Sequence, residues 1–377
     1  MSEYQYYEFQ TIGSQLGEEA MEEMSDLSSR AEVSRTSAAF NYSWGDFPAD
    51  PIKVLMRHFD ALLYMANWGS RRLAFRFPSS AVDYQALRQF AFSETIGVTK
   101  TGAHVLVDMI LEDEGDTDWI EGEGALDGVI GLYDDIVAGD CRALFLLWLQ
   151  AAFMEDQGEE EEGAKLRLPP IPSGLRSLSG AHRTLIGFFG IDPDLVAAAA
   201  PFSAPIREVT NEDLAREFDA MAGVEHTRIL RRMVLGESPT SVAAELRRRL
   251  RAAALSSQEA PSAPPPPASA GVLFAKARQS KVDFENEAKN RKEAERLRRL
   301  AELDRNQARL WARVDELIAA KTTKAYDEAV GILKDQRELA LHQQQREAFV
   351  RRIEAIKAGH PKLVGLRWRI DEADLLG

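Results

Sequence analysis

The sequence predicts an α+β or α/β N-terminal domain, a sheet with packed helices, followed by an all-α region and a C-terminal helical hairpin. Three observations carry this. Over the first 155 residues the apolar positions switch repeatedly between a period of two and a period of about 3.6. From residue 164 to 255 the punctuation is that of helices alone. After the Pro/Ala/Ser stretch "SSQEAPSAPPPPASAG" at 256–271, two amphipathic stripes run toward the C-terminus. The implied divisions are a head at 1–155, a helical domain at 164–255, a linker at 256–272 and a tail at 273–377, the tail a helical hairpin or short coiled coil.

In the head, "YQYYEFQTI" reads as a strand, and "SQLGEEAMEEMSDLSSR" sets Leu16, Ala20, Met24 and Leu27 on one helical stripe behind a Ser14 cap. A second strand runs through "EVSRTSAAFNYSW". Asp50 before Pro51 is an N-cap with proline at the first helical position, and Ile52, Leu55, Phe59, Leu62 and Ala66 continue the stripe, predicting a helix over 51–66. "RRLAFRF" alternates Leu73, Phe75 and Phe77 against Arg72, Ala74 and Arg76. "AHVLVDMILED" alternates Val105, Val107, Met109 and Leu111 against Asp108 and Glu112, a second half-buried strand. "GALDGVIGLYDDIVAG" and "DCRALFLLWLQAAFM" are consecutive helices, with Gly139 ending one and Asp140 capping the next. The acidic run "EDQGEEEEG" closes the head.

Beyond the "LPPIPSG" connector, Asp192-Pro193, Thr210 with Asp213, and Ser238-Pro239 each mark a helix start, and Gly236 a stop. In the tail, Leu300, Leu303, Leu310, Val314 and Leu317 follow a three-four spacing broken at Gln307. "AAKTTKAY" is a turn. Tyr326, Ala329, Val330, Leu333, Ala340 and Leu341 then line a second helix that Gly359 and Pro361 end, giving two antiparallel helices with a docked terminal segment.

Of the 377 residues 45% are hydrophobic and 8% aromatic, enough to build real cores. The formal charge of -14 concentrates between 101 and 162, where 18 acidic residues face one basic one; this disfavours a polyanion as whole-protein partner. "MSEYQYYEFQ" lacks a basic and apolar leader pattern, and "ALFLLWLQAAFM" falls short of the roughly 20 apolar residues that span a bilayer, so a cytoplasmic location without membrane contact is expected. The single cysteine, Cys141, fits a reducing compartment and rules out an internal disulfide.

"GEGALDG" at 122–128 misses the dinucleotide spacing and carries Glu121 and Glu123 where a pyrophosphate would sit. No P-loop, HExxH or GxSxG pattern occurs. Asp113, Asp116, Asp118, Glu121 and Glu123 place Ile120 and Glu121 where a calcium loop needs a ligand and a glycine, so they read as a solvated acidic loop. Cys141 near a helix start reads as a small residue at a junction, the sharper reading being an activated thiolate. His58, His182 and His226 are scattered. No catalytic residue, cofactor or metal is expected.

Trp44-Gly45 and Trp68-Gly69 flank the expected helix 51–66, and two readings stay open. Either the indoles anchor the helix ends, or Trp44, Trp68, Arg72 and Arg76 form an interaction patch for a carboxylate, a phosphate or a stacked base. Asp108 and Glu112 on the neighbouring stripe are the acids that would occupy those arginines instead.

Tyr7-Glu8-Phe9, Trp44-Gly45-Asp46-Phe47 and "ANWGSRRL" at 66–73 together resemble a family of uncharacterised bacterial proteins, over most of the first 250 residues. The tail "LWARVDELIAAKTTKAYDEAVGILKDQREL" is similar to helical tails of bacterial SWIM-type zinc-finger proteins, through Trp311, Val314, Leu317, Ile318, Lys321, Tyr326, Ala329, Val330 and Leu333. With one cysteine the chain lacks the finger's ligands, so the likeness implies a shared docking module or a SWIM-type partner. The expectation is a non-enzymatic scaffold or adaptor whose tail docks protein partners through Leu310, Trp311, Val314, Leu317, Tyr326, Val330 and Leu333. A nucleic-acid accessory protein using the Arg/Trp patch and the basic helix with Arg291, Lys292, Arg296, Arg298 and Arg299 is one alternative; on that helix a solvated face with Glu295 pairing Arg299 is the plainer reading. An enzyme of unfamiliar type is the other.

Overall fold

The computed structural model describes residues 4–112, 122–156, 166–206, 209–237, 239–256 and 264–376. It divides into two compact units, Met1–Ser280 and Lys281–Gly377.

The first unit is built on a seven-stranded sheet: β1 (Gln5–Gln10), β2 (Ala31–Val33), β3 (Ser37–Tyr42), β4 (Ala61–Ala66), β5 (Ser70–Pro78), β6 (Ile96–Thr101) and β7 (His104–Glu112), in the order β2-β3-β1-β4-β5-β7-β6. Every pairing is antiparallel, which makes the head α+β. Its helices are α1 (Glu18–Leu27), α2 (Pro51–His58), α3 (Tyr84–Arg88), α4 (Ala125–Val129), α5 (Gly131–Val137), α6 (Arg142–Glu155), α7 (Gly180–Phe189), α8 (Pro193–Ala199), α9 (Asn211–Asp219), α10 (Gly223–Val234) and α11 (Pro239–Ser256).

Alternation along the strands sends Tyr7, Phe9, Phe40, Leu62 and Ala74 to one face, where Met24 of α1 and Val54 and Leu55 of α2 cover them. Tyr6, Leu63, Met65, Leu73, Phe75 and Phe77 face the other way, under α4 to α8. Residues 143–149 of α6 are all buried, as befits a helix that is apolar on every side. Among the described residues no single helix is long and apolar enough to cross a membrane.

The expected helix 51–66 is corrected to a helix and a strand. Asp50 accepts the amides of Ile52 and Lys53 as its position before Pro51 demands, but α2 stops at His58. There Asp60 donates its amide to Gln10 O at 2.9 Å, and "ALLYMA" pairs with β1 and β5 instead. A run apolar on both faces fits either period, so the stripe through Leu62 and Ala66 carried no information about which one applies. Other boundaries shift for local reasons. The second strand is the hairpin β2–β3, turned by Ser34, whose hydroxyl accepts from the amides of Thr36 and Ser37. The helix over 124–139 is the pair α4 and α5, and β6 adds a strand absent from the sequence reading.

The helical punctuation is reproduced at Asp192 and in the Thr210–Asp213 capping box, and Gly236 has φ +94° just past α10. Ser238, residues 157–163 of the acidic run and 257–263 of the Pro-rich stretch lie outside the described residues. Helix α12 (Ala270–Arg305) follows, and its Ala270, Leu273, Phe274 and Ala277 are buried in the first unit's core, where Phe274 meets Phe153 at 5.5 Å. That core also contains residues of α7 and α8, so the sheet and part of the helical region share one interior. The Pro-rich stretch therefore falls inside the first unit and does not separate the two.

The second unit contains the last turns of α12 with α13 (Gln307–Ala320), α14 (Thr323–His342), α15 (Arg346–Gly359) and α16 (Val364–Glu372). Lys321 at φ +54° and the Thr322 cap turn α13 into α14, the expected hairpin. The long second helix breaks at Gln344, φ +58°, and α15 and α16 both return against α14. Salt bridges from Arg296 to Glu338 and from Arg299 to Asp335 hold α12 to α14.

Two substitutions test this packing. Phe9, fully buried between two covered strands, should cost about 3–5 kcal/mol when cut to alanine. Gln336 is 1% exposed and neither amide atom has a partner among the described residues. Gln336→Leu should therefore stabilise the second unit by about 1 kcal/mol. Both are read from urea unfolding followed by far-UV circular dichroism.

Candidate interaction surfaces

The two tryptophans sit at one end of the sheet. Gln5 pairs with Tyr42 on one side and Ala66 on the other, so the loops after β3 and β4 leave on either side of the first residue of β1. Both reverse through a glycine at positive φ, Gly45 at +73° and Gly69 at +98°. Trp68-Gly69 thus belongs to the β4–β5 hairpin and not to a helix end. The anchoring falls to other residues. The Gln5 amide donates to Gly45 O at 3.2 Å and to Asp46 Oδ1 at 3.1 Å; Asn67 Oδ1 accepts from Tyr4 N at 3.0 Å; Phe47 is buried against Tyr7, ring centroids 4.9 Å apart. Trp44 is 77% exposed and Trp68 46%, leaving both indoles on the surface.

Arg72 and Arg76 lie on the sheet face that α2 partly covers, and both are engaged. Arg72 donates Nε and Nη2 to the two oxygens of Asp108 at 2.8 and 2.6 Å, the bidentate fork. Arg76 donates to Asp60 Oδ1 at 2.8 Å and to Met56 O at 2.9 Å. Asp108 was one of the two expected acids; Glu112, level with Ser70 in the register, binds neither arginine, and Asp60 takes its place. Such pairing holds the guanidinium groups away from a phosphate or a stacked base. In the second unit Arg296 and Arg299 are likewise tied to Glu293, Glu338 and Asp335 rather than to Glu295.

Ionisable groups do converge around the start of α6. The N-cap of α6 is Cys141 rather than the expected Asp140, which lies one residue ahead; Asp140 Oδ1 accepts the Arg142 amide at 2.9 Å, and both its oxygens take the Arg142 side chain at 2.6–3.1 Å. Ser179 Oγ lies 2.7 Å from His182 Nδ1, with Asp135 Oδ2 3.8 Å from the same nitrogen. Ligand atoms of Asp135, Asp140 and His182 fall within 4.8 Å of one another. The Arg142 guanidinium, however, already supplies Asp140 with its cation, and Ser179 occupies Nδ1. A relay needs serine and aspartate on opposite nitrogens, whereas here both face Nδ1 and Nε2 has no partner among the described residues. Burial, with Asp140 and Asp83 adding to it, pushes the Cys141 thiol up to about 12, opposite to an activated thiolate. Glu8 is also buried and its carboxyl raised by that burial, but its oxygens are taken by Tyr6 OH and Gln10 Nε2. Of the acidic loop, 113–121 lies outside the described residues. Gly122 backs onto the Tyr6 ring, where an added Cβ would overlap it, so this glycine serves packing.

In the tail, Trp311, Val314, Leu317, Tyr326, Val330 and Leu333 are buried in the unit's own interior. Leu310 is half-buried. It lines an open groove of about 740 Å³ with Leu303 and Ile332 as further apolar floor. Arg299, Arg309, Arg313, Glu302, Glu316 and Glu328 form the rim. Arg313 pairs with Glu316 and Glu328, while Arg309 and Glu302 form no ion pair among the described residues. Leu303 stood on the sequence stripe; Ile332, one residue off the Ala329/Leu333 line, carried no signal to distinguish it from core. Comparison of the chain with family models, curated proteins and solved structures yields no match.

Burial, and Arg142 beside it, hold His182 down from 6.5 to about 4. A histidine depressed in the fold takes its proton first in the unfolded chain, so its contribution is present above pH 6.5 and is lost on acidification toward 4. The Asp135 carboxyl facing it is raised by burial and acts in the opposite sense, so the difference between two proteins isolates the histidine. His182→Asn, which keeps a partner for Ser179, should remove on the order of 1–3 kcal/mol of that acid sensitivity. Unfolding free energies at pH 7 and pH 4.5 for both proteins measure it.

Proposed function

We propose that this chain is a non-enzymatic cytoplasmic adaptor that docks a protein partner through its C-terminal helices. The observation that carries the reading is the open groove over Leu303, Leu310 and Ile332, an apolar floor bordered by side chains of both charge signs. Its apolar floor and charged rim suit an amphipathic helix laid with residues i, i+3 or i+4, and i+7 on the floor. Arg309 and Glu302, both without an ion pair among the described residues, would meet an acid and a base flanking that stripe. The likeness of the tail to those of SWIM-type zinc-finger proteins makes a protein of that class the first partner to test.

In the full-length chain, Leu303→Asp with Leu310→Asp should weaken binding of a purified SWIM-type protein at least tenfold by calorimetry, since charges would be buried at the contact. Trp44→Ala and Arg72→Ala, placed in the other unit, should leave it within twofold. Equal affinity for the groove variant, with an unchanged circular dichroism spectrum, would overturn the assignment.

A further inference from the structure

The first unit contains an open pocket of about 340 Å³ where α11, the 170–173 connector and the 138–141 loop meet. Phe90, Pro170, Pro172, Ile206 and Leu255 supply apolar walls. The walls are braced from behind. Ser203, 5% exposed, donates to Pro172 O at 2.7 Å and accepts Leu175 N at 3.0 Å. Gly174, at φ +89°, lies so close to Ile206 that any Cβ would displace it. Such bracing is what a preformed site needs.

The polar lining is Gln89, Ser173, Asp140, Cys141 and Arg251. Asp140 is spent on Arg142, and nearby Asp83 accepts two amides at the start of α3. Arg251 is half-buried and makes no hydrogen bond or ion pair among the described residues; Asp135 acts on it only through space. The cavity therefore offers one unfilled guanidinium fork against hydrocarbon. A fork of that kind matches a carboxylate bidentately through charge-assisted bonds. A dianionic phosphate fits less well, because it would bring a second charge toward Asp135 and Asp140, and the described lining residues include no second cation. The volume equals that of roughly ten waters, room for the body of a small organic acid.

We propose that this cavity binds a small apolar monocarboxylate, its carboxylate on Arg251 and its body between Phe90, the two prolines, Ile206 and Leu255. The test uses the full-length chain with benzoate and hexanoate as probes and benzamide as the uncharged isostere, followed by calorimetry. At least one carboxylate should bind saturably at millimolar concentration, and benzamide should bind at least tenfold more weakly than benzoate. Arg251→Met, which keeps the stem length, should weaken carboxylate binding tenfold or more without moving the melting temperature of the free protein. Occupancy should also slow alkylation of Cys141, which lines the same cavity, and this locates the probe. Failure of both carboxylates to bind, equal binding by benzamide, or undiminished binding to Arg251→Met would each overturn the proposal.

Discussion

Burial of the central strands on both faces is the constraint from which the first unit follows. With α1 and α2 on one side and α4 to α8 on the other, β1, β4 and β5 have almost no solvent to offer a polar side chain. Every such group must then be met by another, since an unpaired charge there costs several kcal/mol. Asp60 shows how much depends on one answer. Its carboxylate accepts the Ile12 amide at 2.8 Å and the Arg76 side chain, its carbonyl accepts the Arg76 amide at 2.8 Å, and its own amide donates to β1. One aspartate thereby ends α2, starts β4, and neutralises the arginine that β5 turns to that face.

The same residue explains what the sequence did and did not disclose. Asp50 and Pro51 announced the start of α2 because a cap is a local device, complete within four residues. Its end was hidden because Asp60 is decided by groups 16 and 48 positions away, Arg76 and Ile12. β5 and β7 were legible since charged residues alternate with apolar ones along each; β4 was not, because "ALLYMA" is apolar on both faces and carries no alternation. Arg72 and Asp108 were legible as a possible pair by the polarity of their stripes, but the register that sets them fork to fork is a property of the sheet.

In the tail, the apolar spacing traced the buried side of the helices and not their exposed one. Trp311, Val314, Tyr326 and Leu333 recur at the period of a helix face because they serve the interior between α13 and its neighbours. A groove is made instead by what lies at the margin of that face, Leu310 and Ile332, and by a third helix contributing Leu303. Margins are not written in periodicity; they appear only when the partner helix is placed and is found to leave part of the stripe uncovered.

Arg142 links the silence of one cluster to the shape of another. By filling Asp140 it removes a carboxylate that would otherwise compete for Arg251. Its remaining nitrogen donates to Ser177 O at 2.8 Å and to Gly174 O at 3.3 Å, fixing the connector whose prolines wall the cavity. A lysine could offer the charge but not both directions at once. The guanidinium fork is thus what lets a buried cation neutralise its acid and still set the geometry of the surface beyond it.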